Sequence, residues 1–311
     1  MKNKRIVFMG TADFSEAVLK MLIEEQYNIV AVVSQPDRPV GRKKELKPTL
    51  VKQVALAHNI PCIQPERIKT DYQCVLDYEP ELIITAAYGQ IVPNALLDYP
   101  KLGCINVHAS LLPKLRGGAP VHHAIIDGHD KTGVTIMYMA EKMDAGDMIS
   151  RIETPIDDEV TVGELYERLT HLGAKLLKDT LPDFLSGNFT AEKQNEEEVT
   201  FAPTIKREEE HILFNKTVVE LSRHVRGLNP WPAGFATYQG QNVKILSGHI
   251  TTEKTTKQPG TIIKADKTGI YVACTDGVYC LDEIQVPGKK RMCVRDYMNG
   301  SNIFVVDCCF E

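Results

Sequence analysis

Between residues 5 and 156 the chain alternates short apolar runs with amphipathic ones, and this alternation restricts the fold more than any other feature. The runs at residues 6–9, 29–33 and 82–86 lack the polar-apolar alternation of a strand with one wet face. Strands buried on both faces need a helical layer on each side, and that is the environment of a parallel sheet. Helical patterns over residues 14–25 and 49–58 supply such layers. Strands at 104–109, 134–139 and 148–156 follow, and a helix over 162–184 closes the region. The first turn, GTADFS from Gly10, lacks the three-glycine dinucleotide fingerprint, so the expectation is a Rossmann-like sheet without NAD.

From residue 187 to 207 the pattern dissolves into polar and acidic residues, GNFTAEKQNEEEVTFAPTIKR, read as a connecting segment. Beyond it come a helix near 217–226 and short β-rich runs at 236–238, 243–246, 261–264, 269–274 and 278–281, a spacing that suggests a small barrel. The expected organisation is a catalytic domain over 1–188, a linker over 189–207 and a barrel domain over 208–311. The fold class is therefore α/β, a mostly parallel sheet with a smaller OB-like β-barrel behind it.

The densest polar information lies in CINVHASLLPKLRGGAP, from Cys104 to Pro120, with KMDAGDM around Asp144. In a strand, Asn106 and His108 are two residues apart and share one face, at the carboxyl end where open α/β sheets bind ligands. An amide donor, an imidazole and a nearby carboxylate suit attack of an amine on an acyl carbon: a fixed donor for the oxyanion, an imidazole that stabilises the same oxygen as a cation or carries the proton, and a carboxylate that orients and charge-stabilises it. No nucleophilic Ser or Cys is needed. A buried histidine can equally be a hydrogen-bonded core residue, and an aspartate beside glycine a turn former, so the residues alone leave both readings open.

INVHASLLPKLRGGAP with MDAGD resembles the signature of the 10-formyltetrahydrofolate-dependent formyltransferases. MGTADFS, QPDRPVGRKKELKP, AAYGQIVP and LNPWPAGFATY extend the resemblance along the whole chain, most closely to the methionyl-tRNA formyltransferases. The resemblance implies that Asn106, His108 and Asp144 are catalytic. It implies folate contacts from Ser110, Leu111, Leu112 and Pro113, beside which Ala86, Ala87, Tyr88, Gly89 and Gln90 are expected to lie. The formyl donor would be 10-formyltetrahydrofolate, with no metal, and the acceptor methionyl initiator tRNA. Gly118 departs from the family, which more often has alanine there, a small-for-small change.

Residues 35–48, QPDRPVGRKKELKP, exceed the ~2–6 residues of an ordinary strand-to-helix connection. Pro36, Pro39 and Gly41 are expected to keep this basic loop out of regular structure. Arg38, Arg42, Lys43, Lys44 and Lys47 could track phosphates, or form an ordinary solvated surface. In the family this loop contacts the tRNA acceptor end, with Arg42 at the position of its important arginine; Lys206 is a further candidate contact.

Residues 1–205 carry 22 basic and 29 acidic side chains, and residues 206–311 carry 14 and 12. The acidic total of −5 argues against a general nucleic-acid binder. Eight cysteines without C-x-x-C spacing suggest reduced thiols in a cytoplasmic chain. Neither a signal peptide nor a membrane span is expected, and the expected state is a monomer. Three alternatives remain: a formyltransferase for a sugar amine, one for glycinamide ribonucleotide, and a catalytically silent RNA-binding protein. The basic loop and second domain weigh against glycinamide, and the intact trio against the last.

Overall fold

A computed structural model describes residues 2–40, 45–300 and 302–311. The apolar runs become strands where expected: β1 (Ile6–Gly10) and β2 (Ile29–Val33) flank α1 (Asp13–Glu24). α1 buries Phe14, Val18, Leu19 and Leu22 along one stripe, the helical spacing of a core-facing side. The chain continues through β3 (Arg38–Val40), β4 (Glu45–Lys47), α2 (Leu50–Ala57), β5 (Cys62–Ile63), α3 (Ile68–Asp71) and α4 (Gln73–Leu76). Next come β6 (Leu82–Ala86), α5 (Asn94–Leu97), β7 (Cys104–His108), α6 (Pro120–Ile126), β8 (Lys131–Tyr138), β9 (Met148–Pro155) and α7 (Val162–Ser186).

The principal sheet has the order β5-β2-β1-β6-β7-β8-β9. Its first five strands are parallel, and β8 is antiparallel to β7. Every residue of β1 and β6 is buried, which explains their unbroken apolar sequence. The chain runs outward from β1 to β2 and β5, then returns across β1 to β6. The strand order therefore reverses between β1 and β6, and the carboxyl ends of strands at such a reversal are where these sheets bind ligands. Two hydrogen bonds cross at that point: Ser15 Oγ donates to the Ala86 carbonyl at 2.6 Å, and Thr11 Oγ1 to the Tyr88 carbonyl at 2.9 Å.

One expectation is corrected. Among the described residues of the basic loop, β3 and β4 form an antiparallel ribbon pairing Arg38 with Lys47, Pro39 with Leu46 and Val40 with Glu45, while Gly41 lies outside the described residues. A two-stranded ribbon is all edge, so Pro39 forfeits no interior ladder bond. The ribbon root is pinned, because Lys52 Nζ donates to Asp37 Oδ2 and Gln64 Oε1, both at 2.6 Å, and Gln64 Nε2 donates to Asp37 Oδ1 at 2.7 Å. The segment at 189–202 also has fixed partners. Met148 and Glu192 exchange backbone hydrogen bonds at 2.8 Å, and Phe189 packs on Phe184 with ring centroids 4.9 Å apart.

Compactness also cuts across the linear division at 188 and 207. One unit comprises residues up to Gly118 with Thr132–Thr154 and Tyr166–Ala202; the other comprises Ala119–Lys131, Pro155–Leu165 and Pro203–Glu311. In the second unit, α8 (Val218–Gly227) starts with a capping box, Thr217 and Glu220 bonding each other's backbone N–H. Strands β10 (Phe235–Tyr238), β11 (Gln241–Ile250), β12 (Ile262–Asp266), β13 (Gly269–Ala273), β14 (Val278–Gln285) and β15 (Met292–Cys293), with α9 (Val294–Tyr297), follow. The sheet order is β10-β11-β14-β13-β12, with β15 on β14, and all pairings are antiparallel.

The last residues join the two edges of that curled sheet. Cys309 bridges Thr261 beside β12, and Phe310 bridges Tyr238 of β10. The Ile262 N–H donates to the Cys308 carbonyl and the Glu311 N–H to the Thr237 carbonyl, both at 2.8 Å. The barrel expected from the strand spacing is closed by its own C-terminal segment. Among the described residues no helix is long and apolar enough to cross a membrane.

Phe310 is buried against Phe214, Tyr238 and Phe304, with centroid separations of 5.3, 5.1 and 5.8 Å. Phe310→Ala is therefore expected to destabilise the barrel by about 3–5 kcal/mol in urea unfolding. An unchanged midpoint would show that the edge closure contributes little.

Candidate active site

The parallel register of β6 and β7 sets Thr85 beside Asn106. The Thr85 hydroxyl donates to Asn106 Oδ1 at 2.8 Å, which turns the amide nitrogen of this half-buried residue away from the bond. Among the described residues Nδ2 has no hydrogen-bond partner. An N–H donor positioned by its own amide oxygen is the element an oxyanion requires.

His108, two residues on, lies opposite Thr135 of β8 and is 6% exposed. Its Nε2 lies 3.2 Å from the Leu115 carbonyl and its Nδ1 3.7 Å from Asp144 Oδ1. A neutral ring that donates from Nε2 to that carbonyl keeps its lone pair on Nδ1, on the side of the carboxylate. Nδ1 is then a proton acceptor, and Asp144 stands where it stabilises the resulting cation.

Asp144 Oδ2 accepts from the Gly117 N–H at 2.9 Å. Gly117 has φ +128°, and a Cβ there would come 2.5 Å from the Ala202 carbonyl oxygen, so the position admits no side chain. Leu115 and Asp144 also have positive φ, 59° and 52°. Left-handed backbone costs roughly 1–2 kcal/mol per ordinary residue and persists where the surroundings enforce it. Thr200 enforces it at Leu115: its hydroxyl accepts from the Leu115 N–H, and its carbonyl from the Arg116 N–H, both at 2.9 Å.

The run after β7 is wired internally. Ser110 is fully buried, its hydroxyl donating to the Lys114 carbonyl at 2.7 Å, and Thr135 Oγ1 donates to the Ser110 carbonyl at 2.7 Å. Leu112 and Pro113, joined by a cis peptide bond, are buried, and Leu111 is half-buried. The loop after β6 bends at Ala87, φ 42°, and exposes Ala87 and Gly89. Tyr88 lies in the core instead, and burial raises its phenol above the ordinary tyrosine range. Gln90 Oε1 accepts from the Ile68 N–H at 2.9 Å, and its Nε2 donates to Gln35 Oε1 at 3.1 Å. The amides at 35 and 90 thus connect this loop to the root of the basic ribbon.

On the ribbon, Arg38 pairs with Glu66 at 3.0 Å and Lys47 is exposed. Arg42, Lys43 and Lys44 fall outside the described residues. Lys206, in the other unit, is exposed, and its backbone N–H donates to Glu209 Oε2 at 2.9 Å. One group of potential metal donors occurs among the described residues, also in that unit: His249, Cys280 and Asp282, with donor atoms within 4.8 Å of one another. His249 Nδ1 already pairs with Asp282 at 2.8 Å, and burial pushes the Cys280 thiol up to about 12.

Two residues around Asp144 escaped the sequence reading. Arg116 and Gln194 are 4% and 8% exposed and bond to each other. A charge set before two glycines, in the turn between the polar strand and the next helix, was the available signal for Arg116. Gln194, in an acidic polar run, gave none.

Residues 4–181 match the formyl transferase family model and residues 204–302 the model of its C-terminal domain. The chain is 52% identical over 302 residues to the methionyl-tRNA formyltransferase of Bacillus subtilis (strain 168), covering 96% of this chain and 95% of that one. Among solved structures, it is similar to HypX from Aquifex aeolicus in complex with tetrahydrofolic acid, at TM-score 0.65 and 17% identity, covering 94% of this chain and 46% of that one. It is also similar to the N-formyltransferase from Helicobacter canadensis in complex with folinic acid and dTDP-3-aminofucose, at TM-score 0.66 and 18% identity, covering 89% and 99%. Those two likenesses carry the fold; the near-full-length identity carries the family. The chain belongs to the formyl transferase family, among the methionyl-tRNA formyltransferases.

Proposed function

We propose that this chain transfers the formyl group of 10-formyltetrahydrofolate to the α-amino group of methionyl initiator tRNA, for translation initiation in the cytoplasm, and acts as a monomer. The observation that carries the reading is the meeting of Asn106, His108 and Asp144 at the carboxyl end of β7, in a chain 52% identical to a methionyl-tRNA formyltransferase over nearly its whole length. The folate lies along Ala86, Ala87, Tyr88, Gly89 and Gln90 and against Ser110, Leu111, Leu112 and Pro113. Backbone groups read its ring, since the Ser110 hydroxyl is already committed to the Lys114 carbonyl.

The aminoacyl nitrogen attacks the formyl carbon, forming a C–N bond and placing negative charge on the formyl oxygen. The free Nδ2 of Asn106 donates to that oxygen. His108 takes the proton of the attacking amine at Nδ1, and Asp144 stabilises the imidazolium. As the bond from carbon to the folate N10 breaks, the proton passes to N10, yielding tetrahydrofolate and the formylated aminoacyl-tRNA. No covalent enzyme intermediate forms, and His108 ends as it began.

Arg38 and Lys47 of the ribbon, together with Arg42, Lys43 and Lys44 of the same basic segment of the sequence, take the acceptor end of the tRNA, and Lys206 with the 208–311 domain adds phosphate contacts. Arg226 and Arg291 of the barrel are spent on structure: Arg226 donates to the Val160 carbonyl at 2.7 Å, and Arg291 grips Glu283 with two bonds of 2.6 Å.

Asn106→Ala is expected to lower kcat roughly 100- to 1000-fold, as for other oxyanion donors, with an unchanged circular dichroism spectrum. His108→Ala and Asp144→Asn are expected to lower it as well, and full turnover in all three variants would remove the site. Arg42→Ala is expected to raise KM for the tRNA while leaving KM for the folate unaltered. Apparent tRNA affinity should also fall steeply with salt, each lost phosphate contact flattening the log-log slope by about one unit. A salt-independent KM would return the ribbon to the status of an ordinary charged surface.

A further inference from the structure

The loop that presents Asp144 is held from behind by a buried polar chain whose members all lie in the first unit. Gln194 Nε2 donates to the carbonyls of Asp144 and Gly146, both at 2.8 Å. Its Oε1 accepts from Arg116 Nε and Nη2, at 2.9 and 2.8 Å. Arg116 Nη2 also reaches Glu196 Oε1 at 2.8 Å, and that pairing holds the Glu196 carboxyl below its ordinary value. The amide has one workable orientation. Reversed, its NH₂ would face guanidinium donors and its oxygen would face two carbonyl oxygens, leaving every bond without its complement.

Three observations make this more than packing. Asp144 sits in left-handed backbone, and its carbonyl, one of the two groups Gln194 holds, belongs to that strained residue. The opposite face of the loop has no slack, since a Cβ on Gly146 would lie 1.9 Å from the Tyr138 carbonyl oxygen. Finally, Arg116 stands between Leu115, whose carbonyl meets His108 Nε2, and Gly117, whose N–H meets Asp144 Oδ2. One guanidinium–amide pair therefore fixes both partners of the imidazole.

We propose that Gln194, clamped by Arg116, is a positioning residue for the reaction, holding the Asp144 carboxylate beside His108 Nδ1, where it stabilises the imidazolium. It touches neither substrate. The inference rests on the formyl-transfer reading above and adds that the 194–202 segment is part of the catalytic apparatus.

The test is formylation of methionyl initiator tRNA by the full chain, comparing wild type, Gln194→Ala, Gln194→Glu, Asp144→Asn and the Asp144→Asn/Gln194→Ala double variant, with thermal melting of each. If Gln194 acts through Asp144, Gln194→Ala lowers kcat by at least about 10-fold while KM for either substrate moves less than about threefold, the pattern of an interaction made only in the transition state. In the Asp144→Asn background the same change costs less than about twofold, because residues acting as a unit are not additive. Gln194→Glu retains the partner of Arg116 while removing both amide donors, and is expected to lose kcat like the alanine variant; it carries the test should the latter fail to fold. Equal fractional losses in the two backgrounds, or a Gln194→Glu enzyme as fast as wild type, overturn the inference. No transfer by wild type overturns the formyl-transfer reading and this inference with it, whereas transfer by wild type and the Gln194 variants alike overturns the inference alone.

Discussion

The register of one strand pair decides this site. With β6 and β7 parallel and Thr85 beside Asn106, the threonine hydroxyl meets the amide oxygen and frees the amide nitrogen. His108 then follows on the same face, opposite Thr135, whose hydroxyl organises the Ser110 turn. A slip of one residue would turn Asn106 and His108 to the other face of the sheet. The slip is opposed by the apolar side chains of β7 itself, since it would carry the buried Ile105 and Val107 to the face that now holds the polar pair. Burying each of these side chains is worth about 1.5–3 kcal/mol, and any shifted register would have to match that.

Around this rigid frame the remaining groups are held by loops. Asp144 and Leu115, the two partners of the imidazole, both occupy left-handed backbone, and both are restrained by residues 194–202 rather than by the sheet. The division of labour is physical: strands fix the direction of the donor and base, while hydrogen-bonded loops fix the carboxylate. A loop held by few polar bonds is also the part most sensitive to single substitutions, since each lost bond leaves a buried group unmatched.

Much of this was legible in the sequence, for identifiable reasons. Parallel strands announce themselves as uninterrupted apolar runs, and the two-residue spacing of Asn106 and His108 follows from strand geometry alone. The closed barrel showed only as evenly spaced short strands, because its closing contact pairs residues 309 and 310 with partners at 261 and 238, too distant in sequence for any local pattern. The ribbon at Arg38 and Lys47 was misjudged because proline argues against a strand, an argument without force at an edge. The packing of the 189–202 segment was not legible because its polar residues resemble those of any connection; Gln194 and Thr200 are polar because they satisfy backbone groups near the site. Nor could a linear reading show that residues 119–131 and 155–165 pack with the second unit, since that grouping is a property of tertiary contacts.

The most direct test of the account is formyl transfer from 10-formyltetrahydrofolate, measured in parallel with charged initiator methionyl-tRNA and charged elongator methionyl-tRNA. The account requires rapid formylation of the initiator and little of the elongator. Absence of transfer to either, by a folded chain that still binds the folate, would contradict it and direct the search to a small amine.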